Sequence, residues 1–281
     1  MIGAFSIWWV RVLTMVGIAL LSYSMVWYSF DTLDAFDVMT ITYAVVIIAT
    51  VVIENARPNG VALATGLVPT RATPRFMFHG ILWAVASLSI IAILGSLLGY
   101  RFEASHGVVV IHAFTRIIVL AAGEEVFFRG TIFRSLEERF GPAIANFCTS
   151  VSFALLHAGN PGADAMFLLN VFVASVALGI TVAATRSLWT SMAFHCTWNV
   201  VLAVFFGPVS GYDLGVCQFI FSPPTSGNSW LIAGEFGVEQ GALTGIVLAA
   251  WCGIMLRLRV FDPYVQAAQF RQRIALDSYH G

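Results

Sequence analysis

Apolar positions in this chain come in long unbroken runs, with no two-residue alternation. Between residues 5 and 30 the single charged side chain is Arg11. A run of about 20 apolar residues, rising about 1.5 Å each, matches the roughly 30 Å hydrocarbon core of a bilayer. Each such run therefore predicts a membrane-spanning helix. Without alternation the other structure that satisfies its backbone in lipid, a closed barrel, is not expected. The pattern predicts eight spans, at 5–30, 38–52, 76–98, 107–140, 142–157, 165–185, 188–206 and 242–258. No small-residue cleavage pattern follows Arg11, so the first run is expected to be a retained helix and not a removed signal peptide.

The polar connections set the boundaries. Asp31, Asp34 and Asp37 make an acidic first connection, and residues 54–74 a basic one with Arg57, Arg71 and prolines 58, 69 and 74. The fourth run would be roughly 50 Å long as a helix, so its end, with Arg134, Glu137, Glu138 and Arg139, is predicted to project into water. Gly141-Pro142 stops it and starts the fifth span, glycine suiting a helix end and proline a first turn. The fifth ends near His157 at Ala158-Gly159-Asn160-Pro161-Gly162. A loop rich in Gly, Pro and Ser, 207–241, carries Asp213, Glu235 and Glu239 but no arginine. Apart from Arg101, the arginines outside the spans fall on one side, which predicts cytoplasmic termini. With no internal repeat, residues 1–281 are expected to form a single membrane domain whose motif-bearing core is about 107–206.

Composition agrees. Hydrophobic residues are 59% and charged residues 10%, against about 25% charged in a typical soluble domain, and mean hydropathy is +0.86. The predicted fold class is all-α, a polytopic membrane helical bundle. All 14 basic residues are arginine, which rules out a lysine nucleophile, a Schiff base or a Ser-Lys dyad. Net charge is -1, and with no basic block or phosphate-loop spacing no nucleic acid partner is expected. Cys148, Cys196, Cys217 and Cys252 lack C-x-x-C spacing and read as apolar thiols, not as a metal or disulfide framework.

Against this background Gly123-Glu124-Glu125-Val126-Phe127-Phe128-Arg129-Gly130 stands out. A charge inside a membrane helix costs about 2.5 to 3.5 kcal/mol on insertion scales, so these acids need a partner, a proton or a task. Glu125 and Arg129 are four apart and can pair across a turn; Glu124 points about 100° away, free to face a cavity. Phe153 with His157, and His195 with Asn199, repeat the four-residue spacing on the fifth and seventh spans. A hairpin at Gly141-Pro142 would bring Glu124 and His157 to similar depth. His112 and Arg116 are also four apart but have no evident acidic partner, and His79 and His106 stay unassigned.

A glutamate in an apolar pocket can take a proton from water and return it to a leaving group. A histidine can hold that water, and a second histidine with an asparagine can donate to an oxyanion. Singly, each of these residues also fits a plainer role, since polar groups link helices in bilayers.

The ordered triple G-E-E-V-F-F-R-G, F-A-L-L-H and F-H-C-T-W-N resembles the E-E-x-x-x-R, F-x-x-x-H and H-x-x-x-N motifs of the CAAX protease and bacteriocin-processing (CPBP, or Abi) family of intramembrane glutamic endopeptidases. The resemblance spans about Gly123 to Asn199 and implies an eight-helix CAAX-protease-like bundle with its site inside the bilayer. It implies that Glu124 activates water with His157, that Glu125 and Arg129 support the site, and that His195 with Asn199 stabilises the oxyanion. The expected substrate is a peptide or protein that can itself be membrane-anchored, the expected place is a prokaryotic cell membrane, and no cofactor or metal is expected. The resemblance leaves substrate and oligomeric state open.

Other intramembrane proteases fit poorly. There is no H-E-x-x-H, no Y-D with G-x-G-D, and Pro208-Val209-Ser210-Gly211 lacks G-x-S-G. Three alternatives remain. One is a metal-dependent version of the protease on Glu124, His157 and His195. The others are a non-catalytic scaffold or immunity protein and a proton or ion carrier. Against the metal, the ligands would come from three spans with no pairing to preset two of them, and asparagine is a poor zinc ligand.

Overall fold

A computed structural model describes residues 8–30, 32–55, 66–108, 111–224, 229–232 and 237–258. Helices occupy every apolar run: α1 Trp8–Ser29, α2 Ala35–Asn55, α3 Thr73–Leu97, α4 Ile111–Glu125, α5 Phe133–Phe140, α6 Pro142–Leu156, α7 Ala165–Thr185, α8 Trp189–Phe205 and, after the short α9 Ser229–Ile232, α10 Ala242–Leu258. Between α4 and α5 the chain stays helical through a π-helical segment, Val126–Ile132. Four of these helices (α1, α2, α3 and α7) are long and apolar enough to cross a membrane. The helices at the other runs are shorter, and the fourth run is divided by its π segment.

Local chemistry explains the boundaries. Helix α2 starts before the predicted residue 38 because the Asp34 carboxylate accepts from the Asp37 N–H at 2.7 Å, a cap that satisfies an orphan donor of the first turn. Asp164 caps α7 in the same way, accepting from Phe167 N–H at 2.8 Å. Gly141, with φ 82°, makes the left-handed break before Pro142, so the predicted reversal falls where glycine and proline put it. Of the residues weighed in sequence, Asp31, Arg57, Pro58, Glu235, Arg259, Arg271 and Arg273 lie outside the described residues.

The surface is apolar. Leu20, Ile48, Ile93, Phe147 and Ile246 are all exposed, a surface suited to lipid and not to water. The protein is an integral membrane protein built as an α-helical bundle. Inside, α3 runs against α8 so closely that a Cβ on Gly80 would strike the α8 backbone at Thr190 and Phe194. Gly123, next to Glu124, likewise lets α4 approach Tyr43 of α2.

Three features were not legible beforehand. Strands β1 Arg101–Ala104 and β2 Phe219–Ser222 pair antiparallel with Arg101 opposite Ser222, tying the connection after α3 to the 207–241 loop. Arg116 does have acidic partners, Asp34 at 2.6 Å and Asp37 at 3.0 Å. The helix end at 134–139 is not simply solvated: Arg134 is 4% exposed and bonds Glu137 at 2.9 Å, Glu137 also holds Arg186 at 2.6 Å, and Glu138 pairs with Arg11 of α1. Apart from the Arg134–Glu137 pair, which lies within one turn, the partners come from distant elements, which helical spacing does not reveal.

Candidate active site

The glutamate motif falls where α4 passes into the π segment, so the residues after Glu125 follow an i→i+5 pattern, a distortion found mostly at functional positions. Glu125 and Arg129 are both fully buried, with Nη1 3.0 Å from Oε1. Arg129 Nη2 donates to Ser175 Oγ of α7 at 2.7 Å, and the guanidinium lies over the Phe153 ring at 4.5 Å. A desolvated ion pair persists only when further bonds satisfy its remaining donors, and Ser175 supplies one. Arg129 is thus the joint between α4, α6 and α7.

His195 of α8 sits between the two acids. Its Nδ1 is 3.0 Å from Glu125 Oε1, and its Nε2 is 3.7 Å from Glu124 Oε2, too long for a hydrogen bond. Glu124 is buried, and its Oε2 has no hydrogen-bond partner among the described residues. The fully buried Glu125 meets Arg129 and His195 through Oε1, and its Oε2 is also without a hydrogen-bond partner among the described residues; Glu124 differs in having neither bond.

His157 follows α6 in a 3-10 turn, His157–Gly159. Its Nδ1 lies 2.8 Å from the Phe153 carbonyl. A carbonyl only accepts, so this nitrogen carries the hydrogen and Nε2 of the neutral ring is an acceptor. The Phe153 ring is 4.6 Å from His157 and 6.1 Å from His195, so one phenylalanine packs against both. The hairpin forms, yet no hydrogen bond among the described residues joins Glu124 to His157; the carboxylate faces His195.

Phe153, His157, Asn170, His195, Asn199 and Glu239 are among the residues that line one cavity. Glu124 is not among the lining residues; its Oε2 is 3.7 Å from Nε2 of His195, which is. Asn170, Trp198 and Glu239 carried no recognised signal in sequence. Glu239 looked like one more acid of a polar loop, but the 3-10 turn Val238–Gln240 carries it to the cavity wall. There it accepts from Trp198 Nε1–H at 3.1 Å and from Ser210 N–H at 2.6 Å. Asn170 fixes the turn by donating to the carbonyls of Glu239 and Gly241, both at 2.8 Å. Burial raises the Glu239 carboxyl above its ordinary range, partly offset by the Ser210 and Trp198 donors. Among the described residues no three His, Cys, Asp or Glu side chains converge as a metal would require.

Residues 106–201, about a third of the chain, match the family model described as type II CAAX prenyl endopeptidase Rce1-like. No curated protein matches the chain. The matched stretch contains Glu124, Glu125, Arg129, His157, His195 and Asn199, so this segment is similar to that family of CAAX endopeptidases.

Proposed function

We propose that the protein is an intramembrane endopeptidase that hydrolyses a peptide bond with water activated by Glu124 and His157. The observation that carries this is the contrast between the two adjacent acids: Glu125 is held through Oε1 by Arg129 and His195, while Glu124 forms no hydrogen bond and no arginine pair among the described residues and stands 3.7 Å from His195 Nε2. In the reaction, Glu124 takes a proton from water and the oxygen attacks the carbonyl carbon. The carbon–nitrogen bond then breaks, and Glu124 returns the proton to the leaving amine. The His157 Nε2 lone pair accepts from the same water, since its Nδ1–H is already spent on Phe153.

His195 has a different task because its partners differ. With Nδ1–H directed at Glu125, its Nε2 can donate to an oxyanion only in the imidazolium form, and the flanking acids supply the counter-charge. The Asn199 amide adds a second donor. The substrate is a peptide or protein, membrane-anchored where its bond must reach this depth.

The test compares membrane peptides and protein termini between cells carrying the wild type and cells carrying Glu124→Gln. New termini that vanish in the variant support the reading. An unchanged set of termini refutes it, and a variant that keeps its cellular role without proteolysis points to a scaffold.

A further inference from the structure

Glu239 lines the cavity beside His157, His195 and Asn199, and the hydrolytic steps give it no task. Each of its carboxylate oxygens accepts one hydrogen bond, from the Trp198 indole and the Ser210 amide. Two N–H donors favour the ionised form against the burial that raises this carboxyl, and both are neutral, so they orient the carboxylate without pairing its charge. Among the described residues Glu239 forms no ion pair; the cationic group that acts on it is His195, across the cavity, which is already held by Glu125.

The carboxylate is also held in place. Besides the two Asn170 bonds, Thr244 Oγ1 donates to the Val238 carbonyl at 2.5 Å. Ser210 adopts φ 50°, a left-handed conformation rare outside glycine, within a tight turn bridged between Val209 and Tyr212; its N–H points at Glu239. Beside the acid the wall is aromatic, since Phe153, Phe194 and Trp198 all line the cavity, with Phe194 and Trp198 stacked at 5.7 Å. Aromatic faces attract cations. A pre-organised carboxylate with no ion pair among the described residues, next to aromatic rings, is complementary to a cation.

We propose that Glu239 and Trp198 form a subsite for a basic side chain, Lys or Arg, of the peptide substrate, beside the bond presented to His195 and Asn199. The assignment of a peptide substrate rests on the endopeptidase reading above; the cation preference rests on the subsite itself. Trp198 lies between His195 and Asn199 on α8, so a side chain held there belongs to a residue close to the scissile bond.

The experiment measures binding and needs no turnover. Purified full-length protein in detergent is titrated calorimetrically with N-acetyl-arginine amide and with N-acetyl-citrulline amide, which has nearly the same shape but no charge. A charge-assisted bond to a desolvated carboxylate gives an expected preference of about tenfold or more for arginine. Glu239→Gln should lower arginine binding to the citrulline level while leaving citrulline unchanged. Equal binding of the two probes by the wild type, or binding of neither, overturns the proposal without recourse to any variant. A preference that survives Glu239→Gln overturns it too, since another acid then holds the cation. Neither readout involves proteolysis, so failure here is distinct from failure of the Glu124→Gln test.

Discussion

Replacing Arg129 with alanine tests whether the acid pair divides its labour as described. Both members of the Glu125–Arg129 pair are fully buried, so the substitution leaves a carboxylate in low dielectric with one of its two partners gone. Breaking a buried pair from one side typically costs about 3 to 5 kcal/mol. The variant also loses the bond to Ser175 and the stacking on Phe153, which adds to the cost. His195 stays 3.0 Å from Glu125 and can take up part of the charge, which pulls toward the lower end, about 3 kcal/mol. For a chain of this size each kcal/mol moves the midpoint by about 2 to 4 °C, so the expected fall in detergent is about 6 to 12 °C. Glu124→Gln keeps the side-chain shape at a residue whose Oε2 has no hydrogen-bond partner among the described residues, and should fall within about 1 kcal/mol of wild type. A double substitution, Glu125→Gln with Arg129→Met, should recover much of the loss because no charge is left unpaired. Equal melting of Arg129→Ala and Glu124→Gln, or a double variant no better than Arg129→Ala, would refute a structural role for the pair.

Two further outcomes concern topology and water activation. Single cysteines placed at positions 64 and 224, in a background without the native thiols, should label from opposite sides of the membrane, position 64 from the cytoplasm as the arginine distribution requires; labelling of both from one side contradicts the span order. Purified enzyme should keep its activity after exhaustive treatment with a strong chelator, because a catalytic zinc needs three converging protein ligands and among the described residues no three His, Cys, Asp or Glu side chains converge; activity lost to the chelator and restored by zinc would replace glutamate activation with the metal-dependent alternative.

How far the sequence reached depends on the range of the interaction. Runs of apolar residues dictate helices in lipid because an unsatisfied backbone is intolerable there, and every predicted span contains a helix. Contacts within a turn were equally legible. The Glu125–Arg129 pair and the packing of Phe153 on His157 follow from four-residue spacing, since residues four apart share a helix face whatever the rest of the chain does. Spacing did not say which histidine would face Glu124. Depth along a hairpin favoured His157, whereas the crossing of α4 and α8 brings His195, 71 positions away in sequence, within 3.7 Å. The partners of Arg11 and Arg116 were hidden for the same reason, as they lie 127 and 82 positions away. Glu239 shows the limit most plainly. A glutamate in a loop rich in glycine and proline has no periodicity to reveal its direction, and it reaches the cavity wall only because Asn170, Trp198 and Ser210, from separate elements, bond to its turn and its carboxylate. Local spacing fixed the helices and the pairs within them, and the packing of distant helices and loops decided which of those pairs face one another across the cavity.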